Sequence, residues 1–134
     1  MKVKEFSFEK KGDQKGWLVC VEGNVDIPFE IKRMFYIYGT KDDAVRGRHA
    51  NKKSSFVLIN VSGKSKVKVD EGDGKQKIYT LDEQNKGLYI PKMVWKEMYD
   101  FSPDSVMIIL SDCVYDKSEY IYDYEEYLSE VKNG

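Results

Sequence analysis

Short runs of strand-forming residues, separated by turn-forming residues, constrain the fold of this chain most. Many of the runs are rich in Val, Ile, Tyr and Phe and are bounded by Gly, Asp, Asn or Pro. The predicted strands are 3–8, 16–22, 33–38, 55–61, 64–70, 77–81, 88–90, 95–101 and 106–111. Strands at this spacing predict an all-β sandwich or small barrel. Gly72 and Gly74 predict a hairpin turn at residues 70–74, because glycine adopts the positive φ of tight turns.

The end of the chain follows a different pattern. Between residues 117 and 132, apolar and tyrosine side chains recur at helical spacing, and Asp116 or Ser118 is available as an N-cap. The residues of this stripe are Tyr120, Tyr124, Tyr127, Leu128 and Val131. We predict a short C-terminal helix whose stripe is a packing face, either of a lid on the barrel or of a dimer contact.

Composition bounds the size and class of the protein. A chain of 134 residues with 41% hydrophobic content predicts a single domain, spanning 1–134, whose core needs no disulfide. Cys20 and Cys113 lie in apolar runs and are predicted to be buried free thiols. The net charge of −1 leaves no basic excess for a nucleic-acid partner. The sequence shows no signal-peptide core and no membrane span, so we expect a cytoplasmic protein.

The chain contains a single histidine, His49, which fixes where proton transfer by imidazole near neutral pH can occur. His49 follows a charged, glycine-containing approach, 46–48, and is followed by the strand-like run 56–59 and a turn at Ser62-Gly63. His49 could be a metal ligand, a general base or a histidine that only satisfies local hydrogen bonds.

Several sequence blocks, in one order, carry a family resemblance. They are residues 27–33, Gly39-Thr40-Lys41, Arg46-Gly47-x-His49-Ala50, residues 87–90 and residues 93–102. Over roughly residues 6–127 the chain resembles the sugar 3,4-ketoisomerases of the cupin superfamily, which act on dTDP-4-keto-6-deoxyglucose. The resemblance implies a cupin-type jelly-roll barrel and a homodimer that shares terminal strands. It also implies that the product passes to an aminotransferase, in the synthesis of surface-glycan deoxyamino sugars.

The chain departs from the family at one important position. The family has His-Ala-His where this chain has His49-Ala50-Asn51. The segment around Trp17 and the lysine at position 96 also vary, and both are candidates for contact with the substrate.

The ligand set of a cupin metal site is missing from the sequence. Such a site needs several His and carboxylate ligands, and this chain has one histidine. The usual Glu ligand falls near Phe56, and the second cupin signature reads Trp95-Lys96-Glu97 instead of supplying a histidine. We therefore expect neither a metal nor another cofactor.

A general-base role fits His49 better. Moving a carbonyl from C4 to C3 requires a proton to leave C3 and another to reach C4, through an enediol with negative charge on oxygen. The resemblance, together with this chemistry, makes His49 the predicted base. Four residues are candidates for holding the oxygen charge: Arg46, Arg48, Asn51 and Lys96.

Further residues are candidates for substrate binding. Arg33 lies in an apolar strand, where a buried guanidinium needs an anionic partner such as a diphosphate. Trp95 and Tyr99 share one face of a strand and could stack on a ring or pack in the core. Tyr36 is a further candidate for contact with the sugar.

Three functions remain open from the sequence. The first is the isomerase, with dTDP-3-keto-6-deoxygalactose as the expected product because only one imidazole is present. The second is a catalytically impaired sugar-nucleotide-binding module, which Asn51 in place of a second histidine suggests. The third is an epimerase of the related dTDP-sugar cupins, although we find no His-Asp dyad and tyrosine of the kind those enzymes use.

Overall fold

The structure is a computed structural model that describes residues 2–41 and 43–134. Within these ranges the chain forms strands, one short 3-10 turn (Lys117–Glu119) and one α-helix, α1 (Tyr124–Asn133). The strands are β1 (Lys4–Ser7), β2 (Lys10–Asp13), β3 (Gly16–Val19), β4 (Arg33–Tyr38), β5 (Arg46–Asn51), β6 (Phe56–Ser62), β7 (Ser65–Asp70), β8 (Gln76–Leu81), β9 (Lys86–Ile90), β10 (Trp95–Tyr99), β11 (Val106–Ser111) and β12 (Tyr120–Ile121).

Two five-stranded antiparallel sheets pack face to face. The first sheet has the order β1-β9-β6-β11-β4 and the second has the order β12-β5-β10-β7-β8, while β2 and β3 form a separate hairpin. Buried side chains from both sheets, including Leu58, Val67, Met98 and Ile109, form one core between them. This arrangement confirms the predicted all-β jelly-roll architecture with a short C-terminal helix.

Strand β5, which carries His49, is absent from the strands predicted by propensity. Its sequence contains arginine, glycine, histidine, alanine and asparagine, but no β-branched residue. The strand forms because Ala50 and Asn51 are buried and because β5 pairs with β10 on one side and β12 on the other. The short strands β2 and β12 were not predicted either. The predicted strands 33–38 and 106–111 agree with the observed bounds of β4 and β11.

The predicted helix over 117–132 is wrong in its first half. Tyr120 and Ile121 form β12 and pair with Asn51 and Ala50, so the chain is extended where a helix was expected. Asp116 caps only the 3-10 turn, and Asp123 caps α1 by accepting from the backbone N–H groups of Glu125 and Glu126. No helix in the described residues has the length and apolar character needed to cross a membrane.

Helix α1 packs on the outer face of the second sheet. Its Tyr127 is buried with Trp95, Ala50 and Ile121 in a separate apolar cluster. The stripe is therefore a packing face, as predicted, although Tyr120 belongs to β12 rather than to the helix.

The predicted burial of the two cysteine thiols is wrong. Cys20 is exposed and Cys113 is partly exposed, and both are free thiols. Cys20 follows the end of β3 and Cys113 follows the end of β11, so neither lies inside the apolar strand next to it. The turn after β7, by contrast, is as predicted, with Gly72 at φ +94° and Gly74 at φ +76°.

Candidate active site

A small pocket opens between the two sheets. Its lining is mostly apolar, with His49 and Lys96 as the two nitrogen-bearing titratable side chains. The lining residues are Phe35, His49, Phe56, Leu58, Lys96, Met98, Ile109 and Tyr120. A concave apolar site with a few convergent polar groups is the usual form of a small-molecule site.

A β-bulge in β5 places His49 opposite Lys96. His49 pairs with Lys96, but the next pair along β10 joins Glu97 to Gly47, so Arg48 is an extra residue without a partner. Gly47 has φ +85° and Arg48 has φ +55°. A Cβ on Gly47 would lie 3.0 Å from the Lys96 carbonyl oxygen and 3.1 Å from Met98 Cε, so the bulge requires glycine there. Directly opposed residues project to the same face, which directs His49 and Lys96 into one pocket.

Both titratable groups have strongly shifted pKa values. Burial, and after it the nearby charge of Lys96, lower the pKa of His49 to about 4. Burial also lowers the pKa of Lys96 to about 7, although the charge of Glu119 opposes this shift. At neutral pH His49 is therefore an unprotonated imidazole that can accept a proton, and Lys96 is divided between its acid and base forms.

Two hydrogen-bonded polar side chains, Asn51 and Glu119, lie beside His49 and Lys96. Asn51 is 1% exposed, and its Oδ1 accepts a hydrogen bond of 2.9 Å from Lys96 Nζ. The Glu119 carboxylate accepts from the backbone N–H groups of Lys53 and Ser54, each at 2.8 Å, and from the Ser54 hydroxyl. Burial raises the pKa of Glu119, but these hydrogen bonds outweigh it and hold the pKa below its usual value, so Glu119 is an anion.

Arg33 borders the pocket with part of its guanidinium unsatisfied. Its Cζ lies 5.0 Å from the ring centroid of Phe35 and 5.6 Å from that of Tyr115. Among the described residues, Arg33 Nε and Nη2 are buried without a hydrogen-bond partner. An unpaired buried donor is costly, so this group is suited to an anionic ligand.

The structure does not bring all the predicted site residues into this pocket. Tyr36 is 57% exposed because it projects from the opposite face of β4 to Arg33 and Phe35. Arg46 and Arg48 are also exposed and do not line the pocket.

Trp95 and Tyr99 do share a face of β10, but it is the face opposite to Lys96. The Trp95 indole donates to Glu97 at 3.0 Å, and its ring packs against Tyr124 and Tyr127 of α1. Of the two alternatives for Trp95, core packing is therefore the one observed.

A cluster of tyrosines beside His49 was not predicted from the sequence. The His49 ring lies 4.8 Å from Tyr120 and 5.8 Å from Tyr122, measured between centroids, and Tyr115 lies 5.8 Å from Tyr120. Tyr115 and Tyr122 are exposed and could stack on a ring. The i, i+2 spacing of Tyr120 and Tyr122 was an available sign of a strand, but the helical pattern that follows obscured it.

The sequence matches one protein family over nearly its whole length. A family model described as "FdtA: WxcM-like, C-terminal" matches residues 1–132. The chain belongs to this family. It is 44% identical over 127 residues to TDP-4-oxo-6-deoxy-alpha-D-glucose-3,4-oxoisomerase of Aneurinibacillus thermoaerophilus, covering 95% of this chain and 91% of that protein. The resemblance to the sugar 3,4-ketoisomerases is thereby confirmed.

Solved structures of family members agree closely with this fold. The H51N mutant of the 3,4-ketoisomerase QdtA from Thermoanaerobacterium thermosaccharolyticum, in complex with TDP-4-keto-6-deoxyglucose, has a TM-score of 0.95 and 37% identity, covering 98% of this chain and 95% of that one. WlaRA, a TDP-fucose-3,4-ketoisomerase from Campylobacter jejuni, has a TM-score of 0.93 and 39% identity, covering 99% of this chain and 98% of that one.

Proposed function

We propose that this protein moves the keto group of dTDP-4-keto-6-deoxyglucose from C4 to C3 by acid–base catalysis through an enediol. The observation that carries the proposal is an unprotonated His49 directed into a pocket bordered by a partly unsatisfied arginine. A base of low pKa is available at all physiological pH values, and the apolar walls exclude water from the enediol. Family membership supplies the substrate class.

The substrate's two ends fit two parts of the site. In this proposal the diphosphate binds Arg33, whose partly unsatisfied guanidinium fork matches phosphate oxygens. The sugar then enters the pocket over His49 and Lys96, which lie side by side on one face of the sheet. Tyr115 and Tyr122 offer exposed rings at its edge for the nucleobase or the sugar.

Incubation with dTDP-4-keto-6-deoxyglucose in heavy water tests this proposal against its alternatives. An isomerase incorporates deuterium and moves the carbonyl, which NMR detects as loss of the C4 keto signal and gain of a C3 keto signal. An epimerase incorporates deuterium without moving the carbonyl. A binding module, the candidate that Asn51 supports, does neither while still binding the nucleotide.

The side chains available as metal ligands predict that activity does not depend on a metal. Within the described ranges, no three His, Cys, Asp or Glu side chains gather where they could hold a metal ion. His49 is the one histidine of the sequence, and Phe56, near the usual place of a glutamate ligand, lines the pocket instead. Exhaustive treatment with a chelator is expected to leave kcat unchanged. Loss of activity that a divalent ion restores would contradict this prediction.

The number of side chains that transfer protons to and from the sugar carbons predicts the configuration of the product. In the chair of the substrate, the C3 hydrogen is axial on the lower face, so His49 must lie below the ring to remove it. If the same imidazole returns a proton to C4, the new hydroxyl points upward, as in galactose. We expect dTDP-3-keto-6-deoxygalactose. Borohydride reduction followed by NMR decides the matter, since large diaxial couplings at H4 would identify the gluco product and contradict a single base.

The assembly and pathway are part of the same proposal. We infer a homodimer of this single domain, because the β2–β3 hairpin exposes Trp17, 65% accessible, and Leu18 without joining either sheet. Strand β4 also ends its sheet with Met34, Tyr36 and Tyr38 exposed. Light scattering measures the mass directly, and a monomeric mass would contradict the dimer. A cytoplasmic location, with an aminotransferase that converts the keto product for surface-glycan synthesis, completes the proposal.

A further inference from the structure

Carbonyl migration requires a second proton-transfer group that the proposed role of His49 does not provide. Besides the hydrogen that leaves C3 and the one that reaches C4, O4 must gain a proton and O3 must lose one. While His49 holds the proton taken from C3, it cannot also serve the two oxygens. Asn51 cannot serve them either, because a carboxamide does not act as an acid near neutral pH.

Lys96 is placed for this second role. Its side chain is 4% exposed and enters the pocket on the strand directly opposite His49. Asn51 Oδ1 fixes Nζ at 2.9 Å, and the Phe56 ring lies 4.6 Å from the same nitrogen. One buried hydrogen bond leaves the remaining protons of Nζ available to a ligand, since an ammonium group has three.

We propose that Lys96 carries a proton between the two substrate oxygens while His49 moves the proton between the two carbons. This inference rests on the proposed isomerase function and assigns a role within it that Lys96, rather than a second histidine, performs in this chain.

The steps of this reaction balance. His49 removes the C3 proton, the electron pair of that bond forms the C3–C4 double bond, and the carbonyl π electrons move to O4. The Lys96 ammonium protonates O4 and gives a neutral enediol. The resulting amine removes the proton from O3, which leaves an enolate. The O3 electrons then form the C3 carbonyl while the double-bond electrons take the proton from the His49 imidazolium at C4, and both side chains return to their initial states.

The surroundings of Lys96 suit repeated gain and loss of a proton. His49 faces Lys96 from β5, the Glu119 carboxylate acts on it from the 3-10 turn, and Tyr120 lines the same pocket from β12. The Arg33 guanidinium carries a further positive charge near the pocket, with its Cζ 6.0 Å from the centroid of the Phe56 ring. Burial brings the pKa of Lys96 to about 7, against the opposing charge of Glu119, so neither protonation state is strongly preferred near neutral pH.

Two substitutions of Lys96 test the proposal. Lys96→Arg keeps the positive charge but cannot release a proton, and Lys96→Met keeps a buried chain of similar length without either property. In both variants we expect carbonyl transfer to fall at least about 100-fold, the scale of a positioned proton transfer. Deuterium exchange at C3 depends on His49 and should fall less, particularly in Lys96→Arg, so the ratio of exchange to transfer rises. TDP binding by calorimetry serves as the control for folding.

The pH profile supplies an independent measurement. For the wild type we expect kcat/KM to rise as His49 loses its proton near pH 4 and to fall as Lys96 loses its proton near pH 7. In Lys96→Arg the alkaline limb should disappear. Carbonyl transfer by Lys96→Arg within about tenfold of wild type, equal loss of exchange and transfer in both variants, or an unchanged alkaline limb would each overturn the proposal. A wild-type protein that moves no carbonyl would instead refute the proposed function itself.

Discussion

Replacement of His49 by asparagine is expected to lower kcat by 10²- to 10⁴-fold, the range for loss of a positioned general base. Among the described residues that line the pocket, the imidazole is the group whose pKa, about 4, leaves it unprotonated at neutral pH. Asparagine preserves a polar side chain of similar size but cannot accept the C3 proton. A coupled assay of the 3-keto product measures the loss.

The same variant should bind TDP almost as well as the wild type. Arg33, which we propose as the diphosphate contact, lies on β4 of the other sheet and does not depend on His49. Calorimetry of TDP binding therefore separates lost chemistry from lost structure. Lys52→Gln is a suitable control, since Lys52 follows β5 and makes an exposed ion pair with Glu130 on the surface. A His49→Asn variant with more than about a tenth of wild-type kcat would place the base elsewhere.

The fold was largely predictable because its strands are built from strand-forming residues. Strands such as β4 and β11 carry β-branched and aromatic side chains, and their bounds follow from composition. Strand β5 is different, because tertiary contacts on both edges override the weak strand propensity of Arg46–Asn51. The family resemblance, rather than propensity, identified the segment that carries His49.

The sequence was sufficient to identify the nitrogen-bearing side chains of the candidate site. It was less informative about how those side chains are arranged in space. His49, Asn51, Lys96 and Arg33 were identified from the sequence and lie in or beside one pocket. Residue type alone could not determine on which face of a strand each candidate lies. A bulge at Arg48 directs His49 inward, and such an irregularity leaves no periodic signal in the sequence beyond the glycine before it.

Trp95 and Glu119 show why long-range packing limits sequence analysis. The alternation of β10 correctly placed Trp95 and Tyr99 together, but only the position of α1 shows that Trp95 is covered by the helix. Glu119 was not identified, because a glutamate near the C-terminal helix resembles an exposed surface residue. Its hydrogen bonds to Lys53 and Ser54 span more than sixty residues of sequence.

Truncation of Tyr127 to alanine should produce the largest loss of stability among single changes in α1. Tyr127 is 0% exposed, and its ring packs against Trp95 with centroids 5.8 Å apart. Removing a fully buried aromatic ring creates a cavity and typically lowers the free energy of unfolding by about 3–5 kcal/mol. Urea denaturation followed by circular dichroism should show a lower midpoint with an unchanged slope.

Tyr127→Phe provides the matched comparison, because it keeps the ring and removes only the hydroxyl. That hydroxyl contacts the carbonyl oxygens of Asp70 at 2.8 Å and Met93 at 2.9 Å, so we expect a loss of about 1–2 kcal/mol. At 25 °C the phenylalanine variant should retain the wild-type kcat, since Tyr127 packs behind β10 and Lys96 projects from its other face. Equal destabilisation by the two substitutions would show that the hydrogen bonds, not the buried ring, fix α1 to the sheet.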